Sequence, residues 1–137
     1  LDTFRPIATD TIADHTMHSE RYLIPAETAS AIEAVHARGG RVVAIGTTVV
    51  RTLEAAATGD HVVAPGPGST DLFITPGHRF QVVDALVTNF HAPRTTLIVM
   101  IAAFVGDRWR AIYDHALVSG YRFLSFGDAM LLERGET

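Results

Sequence analysis

The sequence contains no cysteine. Disulfides, thiolate–zinc sites, iron–sulfur clusters and a thiol nucleophile are excluded together, and the composition suits a reducing cytosol. Lysine is absent as well: all 11 basic residues are arginine, a pattern that coding bias alone can produce. Its chemical consequence stands whatever the cause. No lysine Schiff base is possible, and any phosphate or carboxylate contact must come from planar guanidinium groups. Long hydrophobic runs are missing too. The longest, Leu97 to Val105, is about half of what a bilayer span requires. No basic-then-apolar leader opens the sequence, so a soluble, cytoplasmic protein without a membrane partner is expected. Positive charge is not in excess. A net charge of −4 argues against a large self-sufficient nucleic-acid surface, because such binding is driven largely by phosphate neutralisation.

What is present is a chain of 137 residues, 47% of them apolar, with 11 glycines. That fits one domain with a real core and excludes intrinsic disorder. The segment Thr3–Ile7 is expected to be a strand, as if the chain began inside an element. A second extended stretch covers Glu20–Ile24, and Pro25 opens a helix that Gly39-Gly40 ends. A strand over Arg41–Ile45 runs through Gly46 into a helix to about Ala57. Gly59–Thr70 is expected to be a surface loop, Asp71–Thr75 a strand, Pro76-Gly77 a turn and Phe80–Thr88 a strand. Thr95 or Thr96 caps an apolar helix to Val105. An amphipathic helix follows over Asp107–Ser119, with Trp109, Ile112, Ala116 and Leu117 inward. Short strands over Arg122–Ser125 and Ala129–Leu132 close the chain. The alternation predicts an α/β fold, with a mainly parallel or mixed sheet and flanking helices.

Ligands of open α/β sheets bind beyond the carboxyl ends of strands, and three expected strand ends are polar. Thr47, Thr48 and Arg51 follow the glycine of a strand–helix junction, which can present backbone N–H groups to an anion. The plainer reading is helix capping with an intrahelical Arg51–Glu54 pair. Asn89 and His91 sit between a buried strand and a buried helix, where each would cost about 1–3 kcal/mol if left without a partner. Local turn bonding and a satisfied structural histidine are the alternatives. Asp128, after Phe126-Gly127, is either a ligand contact or a turn former. A fourth cluster holds His15, His18 and Glu20. Two imidazoles and a carboxylate can hold zinc, but spacing at a strand entry makes positions 15 and 18 diverge, so no metal is expected. Acid–base work and ordinary surface histidines remain the two readings. His36, His61, His78 and His115 receive no role.

With these clusters in view, the chain resembles the S-adenosylmethionine:tRNA ribosyltransferase-isomerases of queuosine biosynthesis. The resemblance is carried by TFRPI (3–7), DHTMHSE (14–20), GTTVVRTLE (46–54), TDLFITPG (70–77), VDALVTNFHAPRTTL (83–97) and YRFLSFGDAM (121–130), in family order. It covers the carboxyl-terminal part of the family's chain, without its amino-terminal part or its small inserted β-rich domain. This implies a single α/β domain, or fragment of one, over residues 1–137. Asp2 stands where members usually have glycine, and Val49 replaces a common small hydroxyl residue.

The resemblance implies transfer and isomerisation of the ribosyl part of S-adenosylmethionine onto the 7-aminomethyl-7-deazaguanine base at the tRNA wobble position. Epoxyqueuosine-tRNA forms, with adenine and methionine released. S-adenosylmethionine is then a substrate, no further cofactor is expected, and the partners are the modified tRNA and an amino-terminal half. The chemistry asks for a base, for which His18, or else His15, is the candidate, oriented by Glu20. Phe90 or Phe126 is suited to face the sulfonium. Asn89, His91 and Asp128 are suited to the donor's ribose or amino-acid part, and Thr47, Thr48 and Arg51 to a carboxylate or RNA phosphate. The alternatives are a diverged module that binds S-adenosylmethionine or RNA without catalysis, and the structural half of a split enzyme. The 137 residues alone are expected to show no turnover.

Overall fold

A computed structural model describes residues 11–135. Asp2 and the strand expected over Thr3–Ile7 lie outside the described residues. After a single helical turn at Ile12–Asp14, strand β1 covers Glu20–Ile24 and helix α1 covers Ala26–Ala37. Pro25 precedes the first turn of α1, where its missing N–H costs nothing. The helix closes with two reciprocal bonds, Gly40 N–H to Val35 O at 2.9 Å and Gly39 N–H to His36 O at 2.9 Å. Gly39 sits at φ +72°, the left-handed conformation this closure requires.

Strand β2 (Val43–Ile45) passes through Gly46 into α2 (Thr47–Ala55). Gly46, at φ +99°, makes the turn, and its N–H donates to Val87 O at 2.8 Å. The expected loop over 59–70 is instead structured. β3 (Ala57–Gly59) and β4 (Val62–Val63) form a small hairpin, and β5 (Gly66–Thr70) pairs antiparallel with β1. Glycine and proline hid that strand in the sequence. Gly68 lies opposite Tyr22, and a Cβ there would stand 2.5 Å from the Tyr22 ring, so the aromatic side chain occupies the missing side chain's space.

The second half builds the main sheet. β6 (Ala85–Asn89) pairs parallel with β2 and antiparallel with β7 (Ala129–Glu133), in the order β2-β6-β7. Between them lie α3 (Thr96–Val105) and α4 (Arg108–Val118). Thr95 caps α3 by accepting Ile98 N–H at 3.4 Å. Among the described residues one strand pairing is parallel and three are antiparallel, so the fold is α/β with mixed sheets. Two expected strands are absent. The 71–75 stretch is held by side chains rather than a ladder, with Leu72 N–H on Thr70 Oγ1 and Leu72 O receiving Arg51 Nε. The 122–125 stretch gives way to a helical turn at Leu124–Phe126.

β6 is also shorter than the apolar run from Phe80 predicts. The amides of Gln81, Val82 and Val83 donate to the buried Glu54 carboxylate at 2.8–3.0 Å, in place of a neighbouring strand. The core joins Val50 and Leu53 of α2, Leu86 of β6, Ile101 and Phe104 of α3, and Met130 and Leu132 of β7. On α4 Ala116 is buried and Trp109 and Ile112 pack against the core as expected, joined by the buried Tyr113, whereas Leu117 is exposed.

Candidate functional site

The β-sheet register gathers the three polar strand ends. Ile45 lies opposite Val87 and Asn89 opposite Ala129, so Gly46-Thr47, Thr88-Asn89 and the turn before β7 share one end of the main sheet. Two backbone-directed bonds fasten them. Asn89 Nδ2 donates to Leu124 O at 2.8 Å, and Leu124 N–H donates to Phe90 O at 2.8 Å. Asp128 closes the turn from the other side. Its carboxylate accepts the Arg122 backbone N–H at 2.6 Å and Arg122 Nε and Nη2 at 3.1 Å each. Hydrogen bonding to Arg122 holds Asp128 below the usual carboxylate range.

Two of the expected ligand contacts lie beneath the surface. His91 is 3% exposed; its ring Nε2 sits 3.0 Å from Thr88 Oγ1, and its backbone N–H donates to Tyr113 Oη at 3.0 Å. Burial lowers its pKa to about 4, so the imidazole is neutral at pH 7. It braces the site from below, which corrects its assignment to the donor. Phe90 is buried among Tyr113, Tyr121 and Phe123, with its ring stacked on Phe123 at 5.2 Å. A cation cannot approach a ring packed in this way. Phe126 is 70% exposed and presents its ring to solvent.

The DHTMHSE segment reaches α2 through Glu20. Its carboxylate meets Arg51 Nη1 at 2.6 Å, and Arg51 is 2% exposed, with Nε on Leu72 O at 3.1 Å. This corrects two expectations: Glu20 is committed to Arg51 rather than orienting His18, and Arg51 is sunk within the fold rather than turned toward a phosphate. The Arg51–Glu54 pairing is absent, since Glu54 turns to the 81–83 amides and to His78 Nε2 at 3.4 Å. Burial raises the Glu54 pKa, but His78 and the three amides outweigh it and hold the carboxyl below its usual range. His15 packs edge-on to Phe73 at 5.3 Å, and His18 is exposed. Thr47 is buried at the start of α2. Thr48 is exposed and lines an apolar groove with Tyr22, Ile24 and Thr52. Among the described residues no three His, Asp or Glu side chains converge as metal ligands do.

Sequence reasoning missed Arg122 and the structural work of Glu54 and Tyr113. The Arg122–Asp128 brackets around FLSFG were the available signal for the first; a carboxylate capping amides 27 to 29 residues away leaves no local trace. It also missed a polar cavity of about 460 Å³, lined by His36, His61, His78, Arg79 and Arg134 among others. There His36 and His61 stack at 4.0 Å, and His61 and Arg134 both pair with Asp84, which also accepts Val42 N–H at 2.9 Å. Asp84 directly precedes β6 and Arg134 follows β7, so this cavity lies at the sheet end opposite the polar strand ends.

Comparison with known proteins places this arrangement. A family model described as a queuosine biosynthesis protein matches residues 1–132. The S-adenosylmethionine:tRNA ribosyltransferase-isomerase of Acidiphilium cryptum is 56% identical over 133 residues, which is 96% of this chain and 39% of that protein. The protein of the same name from Brucella anthropi is 50% identical over 135 residues, 98% of this chain and 37% of its own length. A crystal structure of S-adenosylmethionine tRNA ribosyltransferase from Thermotoga maritima aligns with TM-score 0.73 at 47% identity, covering 81% of this chain and 39% of that one. This chain therefore spans about two-fifths of the length of the relatives it matches. Among the described residues no helix is long and apolar enough to cross a membrane. Because the family model runs through every strand-end cluster, and the fold of a relative follows the same path, the chain belongs to the queuosine biosynthesis protein family.

Proposed function

We propose that this chain supplies the carboxyl-terminal part of a cytoplasmic S-adenosylmethionine:tRNA ribosyltransferase-isomerase. The reaction moves the ribosyl part of S-adenosylmethionine to the aminomethyl group of the deazaguanine at the tRNA wobble position and rearranges it to epoxyqueuosine. Adenine and methionine leave. S-adenosylmethionine is consumed as a substrate, and no separate cofactor takes part. The observation that carries this reading is the meeting of three family-matching segments, 46–54, 83–97 and 121–130, at one end of the sheet.

A proton must leave the carbon beside the sulfonium or the attacking ammonium, and His18, an exposed imidazole in a family-matching segment, is the group assigned to accept it. Thr47, Asn89 and Asp128 frame the strand end where donor and base meet, with Asn89 and Asp128 holding the turn that closes it. Since the chain spans two-fifths of its relatives' length, the activity belongs to the assembly with the remaining part.

The test supplies this chain with the amino-terminal portion of the Acidiphilium cryptum relative, S-adenosylmethionine and tRNA bearing the aminomethyl base. The expected result is adenine and methionine in equal amounts, with no methylated RNA and no turnover by the 137 residues alone. His18→Gln should reduce turnover by about 10²–10⁴ while donor binding stays within a few fold. Methyl transfer without adenine release would refute the reading.

A further inference from the structure

The turn that closes the candidate site is braced by hydrogen bonds at both ends, yet it displays a large aromatic ring to solvent. Leu124 sits at φ +60°, a conformation that bulky residues avoid, and it is held there by Phe90 O and Asn89 Nδ2, each at 2.8 Å. Gly127, at φ +118°, takes the chain back, and a Cβ there would meet Arg122 Nη2 at 3.4 Å. Asp128 locks Arg122 through its backbone and guanidinium. Below, Phe123 is stacked on Phe90. Backbone strain of this kind persists only where the surroundings over-determine it, and it concentrates at functional sites. Among the described residues the Phe126 ring makes none of the ring contacts that tie Phe90, Tyr113, Tyr121 and Phe123 together.

We propose that Phe126 is a stacking platform for an unpaired RNA nucleobase, with the Arg122 guanidinium beside it as a second planar surface. The assignment rests on the RNA-directed reaction proposed above. Single-stranded RNA is recognised by splayed bases laid on aromatic rings and guanidinium planes, and a platform fixed before binding loses little entropy when the base arrives. The bidentate bond to Asp128 holds the Arg122 plane steady and cancels its charge, while the side chain stays 64% exposed. Binding here thus depends on stacking rather than on phosphate neutralisation, which agrees with a chain of net charge −4. The position at the polar strand end places the stacked base beside the reacting one, so the platform would read a nucleotide neighbouring the wobble position.

The experiment measures binding of a fluorescein-labelled tRNA anticodon stem-loop to the chain by anisotropy, with S-adenosylmethionine binding measured separately by calorimetry. Phe126→Ala should weaken stem-loop binding by roughly 5- to 150-fold, the range for loss of one base–aromatic stack. The salt dependence should be unchanged, because no phosphate contact is lost. Phe126→Trp should restore affinity, a loop-free duplex should not distinguish the variants, and donor binding and melting temperature should stay as in the wild type. Unchanged stem-loop affinity in Phe126→Ala, or no stem-loop binding by the wild-type chain, would overturn the platform. So would a loss confined to S-adenosylmethionine binding, which assigns the ring to the donor, or a loss confined to association with the amino-terminal portion, which makes it a protein contact. Adenine release is not read in this experiment. A failed ribosyl transfer with Phe126-dependent RNA binding intact would sink the reaction and leave the platform standing.

Discussion

His91 makes acidification a sharp test of how the site is braced. The ring is neutral in the native state because burial lowers its pKa from 6.5 to about 4. Between those values the unfolded chain binds a proton that the folded chain refuses, so stability rises with pH across the window and falls as pH drops from 6.5 toward 4. Above the window both states are neutral and His91 adds no pH dependence. Near pH 5 the unfolded imidazole is almost wholly protonated and the native one barely, which removes about 2 kcal/mol relative to pH 7.5. For a domain of this size that is roughly 5–10 °C in melting temperature. Urea unfolding at both pH values, on wild type and His91→Gln, isolates the effect: the variant's acid loss should be smaller by about 2 kcal/mol, whatever its absolute stability. Imidazole NMR shifts of His91 should stay flat until the pH approaches 4. A His91 resonance titrating near 6.5, or equal acid losses in both proteins, would refute the buried, neutral brace.

Glu54→Ala strips the amides of Gln81, Val82 and Val83 of their acceptor; at about 1–3 kcal/mol for each buried group left unpaired, the variant should lose more than about 3 kcal/mol in urea unfolding. Because the Glu54 carboxyl is held below its usual range, its contribution is present above that range and lost as pH falls through the lowered value, so Glu54→Gln should flatten the acid limb of the stability curve. Two glycines should fail for different reasons. Gly46→Ala has open space for its Cβ but must adopt φ +99°, costing about 1–3 kcal/mol in a melt, and no neighbouring truncation should rescue it. Gly68→Ala meets the Tyr22 ring at 2.5 Å, so Tyr22→Ala should recover much of its loss in a double-mutant cycle.

The sequence disclosed those elements whose signals are local. Pro25 and Gly39-Gly40 bracket α1 to within a residue, Thr95 announces α3, and the alternation of strands and helices yields the α/β architecture. It did not disclose pairings made at a distance. The Gly66–Thr70 strand carries no β-forming residue before Thr70, and it pairs with β1, where Tyr22, more than 40 residues earlier, fills the room above Gly68. The apolar run from Phe80 looked like one long strand because a carboxylate can replace a ladder partner without changing the hydrophobic pattern. At the site, residue types told which positions are polar at strand ends but not which way each one faces. Arg51 and His91 lie in family-matching segments just as His18 and Phe126 do, and only burial separates the two pairs.

That separation decides which residues remain to do chemistry. Arg51 with Glu20, Glu54 with the 81–83 amides, His91 with Thr88 and Asp128 with Arg122 each satisfy one polar group with another of the protein's own. A ligand that used Arg51, Glu54 or His91 would have to break such a pair and leave a buried group unmatched, whereas Asp128 and Arg122 are paired at the surface. Among the described residues, the exposed His18 imidazole and the exposed Phe126 ring carry no such obligation. In the proposed function, proton transfer and RNA stacking fall to a few exposed side chains mounted on an internally satisfied frame. Substitutions in the frame should move stability and acid sensitivity first, whereas those at His18 and Phe126 should move turnover and RNA affinity with the melting temperature unchanged.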